Sequence, residues 1–342
     1  MARRARRGRG RERPETSNLA DRDGLGPWLV ALPDDWAAPG SPGTGDPRWR
    51  VDWGPAVAAS QRVVEQSRFR TVIEGRWRFV VDPERDAAPA DVDARPGFTW
   101  RYTIYPHGAV YVHVAGHARG QAWPSARVGA LLALRADAGF EPAAAAGHPG
   151  SRAGAAYVLA ARPGRQRADM LWSWSPADLY ARFAPLTCDD ADSELLLVGD
   201  LAANDELRSA FLLRLWPHDL EGDEEARSLA ADYQRPAALR VATGRVVTDA
   251  PGDADGDGFN EAEGCYELSL ERRGLRAEFD PGATIRFDPI VRVRGVEDRQ
   301  AYVYVRGRSV SAVGRDAENN LLVRLARAVS SRATIEIHTT GP

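Results

Sequence analysis

The 342-residue chain contains no lysine: all 45 of its basic residues are arginine. Without lysine it has no phosphate loop of the Walker type, no Schiff-base nucleophile and no lysine general base. The Gly-x-Ser-x-Gly elbow and the His-Glu-x-x-His helix are also missing, which removes the commonest hydrolase signatures. No apolar run approaches the length of a membrane span, and the net charge of -3 gives no general attraction to nucleic acid or anionic membrane. Only two cysteines occur, Cys188 and Cys265. They are read either as one disulfide of an exported protein or as two separate small buried residues. The first residues, "MARRARRGRGRERPETSN", carry positive charge but no apolar segment behind it, so they read as a basic tail, or as residues upstream of the natural start, and not as a signal peptide.

What is present is mostly strand. Residues 1–48 are rich in Pro, Gly, Asp and Arg and read as an irregular lead-in. From 49 to 244, strand-length runs such as "VVEQSRFRTVIEGRWRFVV", "FTWRYTIY", "AVYVHVAG", "AAYVLAAR", "DMLWSW" and "ELLLVG" alternate with turn signals. Such spacing predicts a large β-sandwich. The block closes with one helix, "EGDEEARSLAADYQRP", which has acids in its first turn, Ala226, Leu229, Ala230 and Tyr233 at helical spacing, and Pro236 beyond its end. This helix is expected to bridge or cap a sheet. An acidic loop follows over 245–264, and about six strands over 265–342 predict a smaller Ig-like sandwich. In the last of these, Ile335 and Ile337 face opposite to Glu336 and His338. The fold class is therefore all-β.

One hairpin can be read to its register. In "WRYTIYPHGAVYVHV", Pro106 and Gly108 fit a type I turn closed by a glycine bulge. That turn pairs Tyr105 with Ala109, Thr103 with Tyr111 and Arg101 with His113. Trp100, Tyr102, Ile104, Val110, Val112 and Val114 then share the opposite face, as a half-buried sheet requires. The strand "GRWRFVV" alternates likewise, with Arg76 and Arg78 opposite Trp77 and Phe79. A polar face carrying Arg76, Arg78, Arg101, Tyr111 and His113 is the consequence.

The sharpest local signal is "DADGDGFNEAEG", residues 253–264. Asp253, Asp255 and Asp257 stand at positions one, three and five of a calcium loop. Gly258 supplies the turn at six and the Phe259 carbonyl falls at seven. Calcium takes six to eight oxygens, and without a cation three crowded carboxylates repel one another. The stretch resembles the Asp-x-Asp-x-Asp-Gly loops of EF-hand-like proteins, dockerins and thrombospondin type 3 repeats. It departs from them at position twelve, which is Gly264, so Glu261 or Glu263 must complete the shell, or another segment contributes. The strand-like "CYELSL" that follows places the loop between sheets and not in a paired helix unit, which implies a structural ion and not a sensor. Because cytosolic calcium is too dilute to fill weak sites of this kind, an extracellular or cell-envelope location is expected.

The order of these parts is similar in style to the super-sandwich domains of polysaccharide lyases and some glycosidases. That resemblance implies polysaccharide, an acidic one given the arginines, as partner. It does not fix an activity. In a lyase, Arg101, Arg76 or Arg78 would neutralise a uronate while His113 and Tyr111 handle protons. In a binding protein, Trp172 and Trp174, at i, i+2 on one strand face, would stack on sugar, although core packing explains tryptophan equally well. The acids Asp189, Asp190, Asp192 and Glu194 look like a loop and not like a glycosidase pair. His107, His113 and His117 do not match tight zinc spacing. The reading is a secreted, calcium-stabilised, carbohydrate-binding protein, with a lyase and a non-catalytic surface protein as the alternatives.

Overall fold

The computed structural model describes residues 28–31, 53–54, 56–79, 97–117, 128–131, 133–135, 141–146, 157–161, 170–175, 184–188, 191–195, 206–215, 230–272, 274–296 and 300–340. Those residues are mostly strand, and their sheets pack as an all-β sandwich protein. The N-terminal part is built on an eight-stranded antiparallel sheet. Its order is Ala56–Gln66, Thr71–Phe79, Gly97–Ile104, Ala109–His117, Glu206–Leu215, Met170–Trp174, Tyr157–Ala161 and Glu141–Ala146. The helix candidates Ala226 and Leu229 and the acidic pair Asp189 and Asp190 lie outside the described residues. The lead-in is not wholly irregular, because Trp28–Ala31 pairs with Val128–Leu131 in a separate three-stranded sheet.

The run at 63–81, expected as one strand, is a hairpin. No Gly, Pro or Asn marks its turn. Ser67 makes it instead, its Oγ accepting from the N–H groups of Phe69 (3.1 Å) and Arg70 (3.1 Å). The strand Glu206–Leu215 was not legible by alternation. Phe211, Leu212 and Leu213 are buried in succession because both faces of the sheet are covered there, which erases the period of two.

The hairpin Gly97–Ile104 to Ala109–His117 has the expected register: Arg101 pairs with His113 and Thr103 with Tyr111. Its turn closes with Gly108 N–H donating to the Tyr105 carbonyl (3.0 Å), and Gly108 sits at φ 91° as the bulge demands. The expectation of a half-buried sheet is corrected. Trp100, Val112 and Val114 are buried on one face, and Thr103 and Tyr105 are buried on the other. Around Tyr105 the second face is covered by the C-terminal module.

That module has a five-stranded sheet (Ala238–Thr243, Gly274–Asp280, Ala333–Thr340, Gln300–Val305, Arg308–Ser309) facing a six-stranded one centred on Cys265–Ser269, Ile290–Arg294 and Leu321–Arg324. Leu275, Ala277, Phe279, Ile335 and Ile337 from the first and Leu268, Val291, Val293 and Val323 from the second share one apolar core. Ile335 and Ile337 point inward and His338 outward, as alternation predicts. Cys265–Ser269 and Ile290–Arg294 run parallel. Two boundaries move. Strand Ala238–Thr243 pairs with Gly274–Asp280, so the module begins before residue 244. The acidic loop is not a linker between modules, because Arg245–Val246 before it and Phe259–Asn260 after it both pair with Cys265–Ser269. The end of the helix, residues 230–234, packs Ala230 and Tyr233 into this same core.

Candidate metal centre and the buried clasp beside it

Asp253, Asp255 and Asp257 each bring a carboxylate oxygen to within 4.8 Å of the others. The loop is shaped by its own backbone. Asp253 accepts from the N–H groups of Gly256 (2.7 Å), Asp257 (3.2 Å) and Gly258 (2.9 Å), and Asp257 accepts from Phe259 N–H (2.8 Å). Gly258 is required at the sharp turn, since its φ is 92° and a Cβ there would lie 2.4 Å from Val246. Glu261 is buried at 1% exposure beside the triad; its Oε2 accepts from Ala254 N–H (3.0 Å), whereas its Oε1 has no partner. Burial and the neighbouring aspartates push Asp257 up to about 7 and Glu261 up to about 8. Four acids crowded in this way form a set of hard oxygen donors that a metal ion would neutralise.

Glu263 does not join that set. Its carboxylate points into a buried cluster of arginines: Arg70 Nη1 at 2.7 Å, Arg292 Nη1 at 2.6 Å and Arg101 Nη2 at 3.7 Å. Burial alone would raise its pKa, but Arg292, Arg70 and Arg101 together hold it down at about 2. The cluster extends in both directions. Arg70 Nη2 reaches Glu65 (2.9 Å) and Asp316 (3.9 Å), while Arg292 also pairs with Asp316 (3.8 Å) and with Glu267. Glu267 further accepts from Arg294 Nε (3.2 Å) and Asn260 Nδ2 (3.0 Å). The four acids Glu65, Glu263, Glu267 and Asp316 thus face the four guanidiniums of Arg70, Arg101, Arg292 and Arg294. Opposite charges in equal number are what a buried ionic cluster needs, because an unpaired charge there is expensive. Glu65, Arg70 and Arg101 come from the eight-stranded sheet and the rest from the C-terminal module, so the cluster clasps one to the other.

Residues 260–264 join loop and clasp. Their turn is closed by Gly264 N–H donating to the Asn260 carbonyl (2.7 Å). Tyr233 donates to the Glu261 carbonyl, and Tyr105 donates to that of Glu263 (2.9 Å). Tyr111 stacks on Tyr233 with ring centroids 6.1 Å apart and meets Tyr105 edge-on at 5.6 Å. Phe259 and Tyr266 carry the aromatic chain on into the core.

The residues expected on one polar face do share one, but it is not all open. Tyr111 is partly buried against the 260–264 turn, and desolvation drives its phenol well above its usual range. Arg101 leans on Glu263. His113 is partly buried between the strands of Arg101 and Ala210. Arg76 pairs with Glu74 (3.3 Å) and stays 40% exposed, and Arg62, more exposed still, reaches the same Glu74 at 2.9 Å. Arg78 and Trp172 lie on strands whose register is clear, but their side chains fall outside the described residues. Trp174 is buried, which corrects its reading as a sugar platform. Cys265 is a free thiol, fully buried, and burial raises its pKa; the bridge to Cys188 is not formed. Sequence reasoning missed Arg70, Arg292, Glu65, Glu267 and Asp316. Arg70 and Glu263 are 193 residues apart, so no local pattern could join them.

No protein-family model matches the chain, and no curated protein matches it in sequence. Among solved structures, a heparinase III is similar over 73% of this chain and 32% of its own, at 8% identity and a TM-score of 0.29. This chain therefore spans about a third of that protein's length, and a likeness so distant says nothing about activity.

Proposed function

We propose that this chain is an extracellular, calcium-stabilised β-sandwich protein that associates with acidic polysaccharide by binding and not by catalysis. The observation that carries the reading is the convergence of Asp253, Asp255 and Asp257 beside the unpartnered, buried Glu261 Oε1. Calcium suits this set because it is a hard cation that takes about six to eight oxygens in flexible geometry, with carbonyls such as that of Phe259 and water filling the remainder. Sites of this kind fill where calcium is abundant, which supports an extracellular or envelope location. Glu263 is proposed as a member of the clasp and not as a ligand, since three guanidiniums already hold it.

The exposed arginines Arg62 and Arg76 beside the clasp support recognition of carboxylated or sulfated glycans, because guanidinium forks match those groups. Binding is favoured over β-elimination by the position of Tyr111. A proton donor must reach the leaving oxygen, and this phenol is packed against Gly264 and its ring is stacked on Tyr233. Calorimetric titration with calcium and magnesium tests the metal; preference for calcium is expected. A panel of acidic and neutral polysaccharides, read for binding and for absorbance of unsaturated uronates, tests the rest. Binding without new absorbance is expected, and unsaturated product abolished by His113→Ala would establish a lyase instead.

A further inference from the structure

A second feature of the module boundary lies on the far side of Tyr105 from the clasp. The turn carrying Arg68 and Phe69 and the turn carrying His107, both from the eight-stranded sheet, meet Ile290, Ser311 and Arg324 of the C-terminal module around a cleft of about 220 Å³. Clefts between modules are common ligand sites, and one this small suits a single sugar ring or smaller, not a drug-sized molecule.

Its charge is one-sided. Arg68 is exposed, and its Nη2 donates only to the Val313 carbonyl (2.9 Å), with no acid against it among the described residues. Arg324 pairs with Asp288, which among the described residues is the one carboxylate set against these two guanidiniums. Arg214 adds a further positive charge near His107. The walls are of another character. His107 stacks on Tyr105 with centroids 5.5 Å apart, and Phe69 and Ile290 supply apolar surface, while the Ser311 hydroxyl offers a polar edge. Burial, then Arg214 and Arg324, hold the His107 imidazole at about 3, so at neutral pH it is uncharged and can exchange hydrogen bonds with hydroxyls.

We propose that this cleft binds one acidic sugar unit, its carboxylate or sulfate on Arg68 and Arg324 and its ring against Phe69 and His107. Of these two guanidiniums only that of Arg324 has a carboxylate against it, which leaves room for an anion that both would grip through charge-assisted hydrogen bonds. The adjoining apolar and imidazole surfaces take the face of a pyranose. The proposal rests on the polysaccharide reading above and gives it a location apart from Arg62 and Arg76.

The test uses the full chain with calcium present, labelled so that the His107 ring can be followed by NMR. Glucuronate, glucose 6-sulfate, inorganic sulfate and glucose are titrated in separate arms. Both acidic sugars are expected to move the His107 signals saturably, and glucose is not. Arg68→Gln, at an exposed position, is expected to weaken binding by about tenfold with an unchanged melting temperature. No response to either acidic sugar overturns the proposal, as does a response that survives unaltered in both Arg68→Gln and Arg324→Gln. Inorganic sulfate binding as tightly as the sugars overturns the sugar part. Acidic polysaccharide held equally by wild type and Arg68→Gln overturns the cleft while leaving polysaccharide association in place. A His107 response to the acidic sugars with no polysaccharide retained supports the cleft and removes the wider reading.

Discussion

Gly264 lies against the ring of Tyr111 so closely that a Cβ on Gly264 would stand 2.0 Å from Tyr111 Cζ. This contact explains why the twelfth position of the acidic loop carries no carboxylate. The backbone there has φ 65°, which disfavours side chains, and the space a side chain would occupy is filled by a tyrosine from the other module. A position that would close a metal shell in an isolated loop is used here to dock one sheet on another.

Gly264→Ala should therefore be strongly destabilising. The left-handed backbone costs about 1–2 kcal/mol for an L-residue, and displacing a packed ring adds about 1–3 kcal/mol. Chemical denaturation of wild type and variant checks the sum. Gly264→Ala should cost less in a Tyr111→Ala background than in wild type, since the obstacle is gone and only the backbone strain remains.

Calcium should raise the melting temperature, and chelation should lower it. If the site is saturated about a hundredfold above its dissociation constant, the stabilisation is about 2.7 kcal/mol. Asp255→Ala removes a triad member that is exposed and outside the core, so it should abolish most of the calcium dependence while leaving the chelated protein close to wild type. Differential scanning calorimetry with calcium and with chelator measures both.

Breaking the clasp at Glu263 should cost more than breaking a surface pair. Glu263→Gln leaves Arg70 and Arg292 buried without their shared carboxylate, and losing one partner of a buried ion pair costs about 3–5 kcal/mol. A double-mutant cycle with Arg70→Met should show strong coupling, because Arg70 and Glu263 are hydrogen-bonded directly to each other at 2.7 Å within the buried cluster. Additive effects would mean that the two groups do not interact as described.

Acid should destabilise the protein in two windows. His107 is held at about 3 in the folded chain against an ordinary value of 6.5, so between those values the unfolded chain binds the extra proton and stability falls as pH falls. Glu263 is held at about 2 against 4.5; its contribution is complete above 4.5 and is lost as pH drops toward 2. With calcium in excess, His107→Gln should flatten the loss relative to wild type from pH 6.5 down to about 3, leaving below 4.5 the part that Glu263 contributes. Urea denaturation across pH 7 to 3 provides the comparison.

The elements legible in the sequence were those governed by neighbours along the chain. The turn at Tyr105–Gly108 and the register of Arg101 with His113 follow from turn chemistry and the two-residue period of a strand. The spacing of Asp253, Asp255 and Asp257 is likewise local, since residues two apart around a tight turn converge whatever surrounds them. Alternation also assigned Arg76, Arg101, Tyr111 and His113 to one face. Only the tertiary structure decided what lies over that face. Periodicity shows which side chains point the same way and carries no information about the layer above them. Hence Tyr111 became a packing surface for Gly264, and Glu263 a partner of Arg70 and Arg292. The same limit hid the strand Glu206–Leu215, where burial on both faces removed the alternation by which a strand is read. Desolvation is the reason these choices are specific. Once the modules close on each other, every charge between them must find an opposite, and its partners come from wherever the fold brings them.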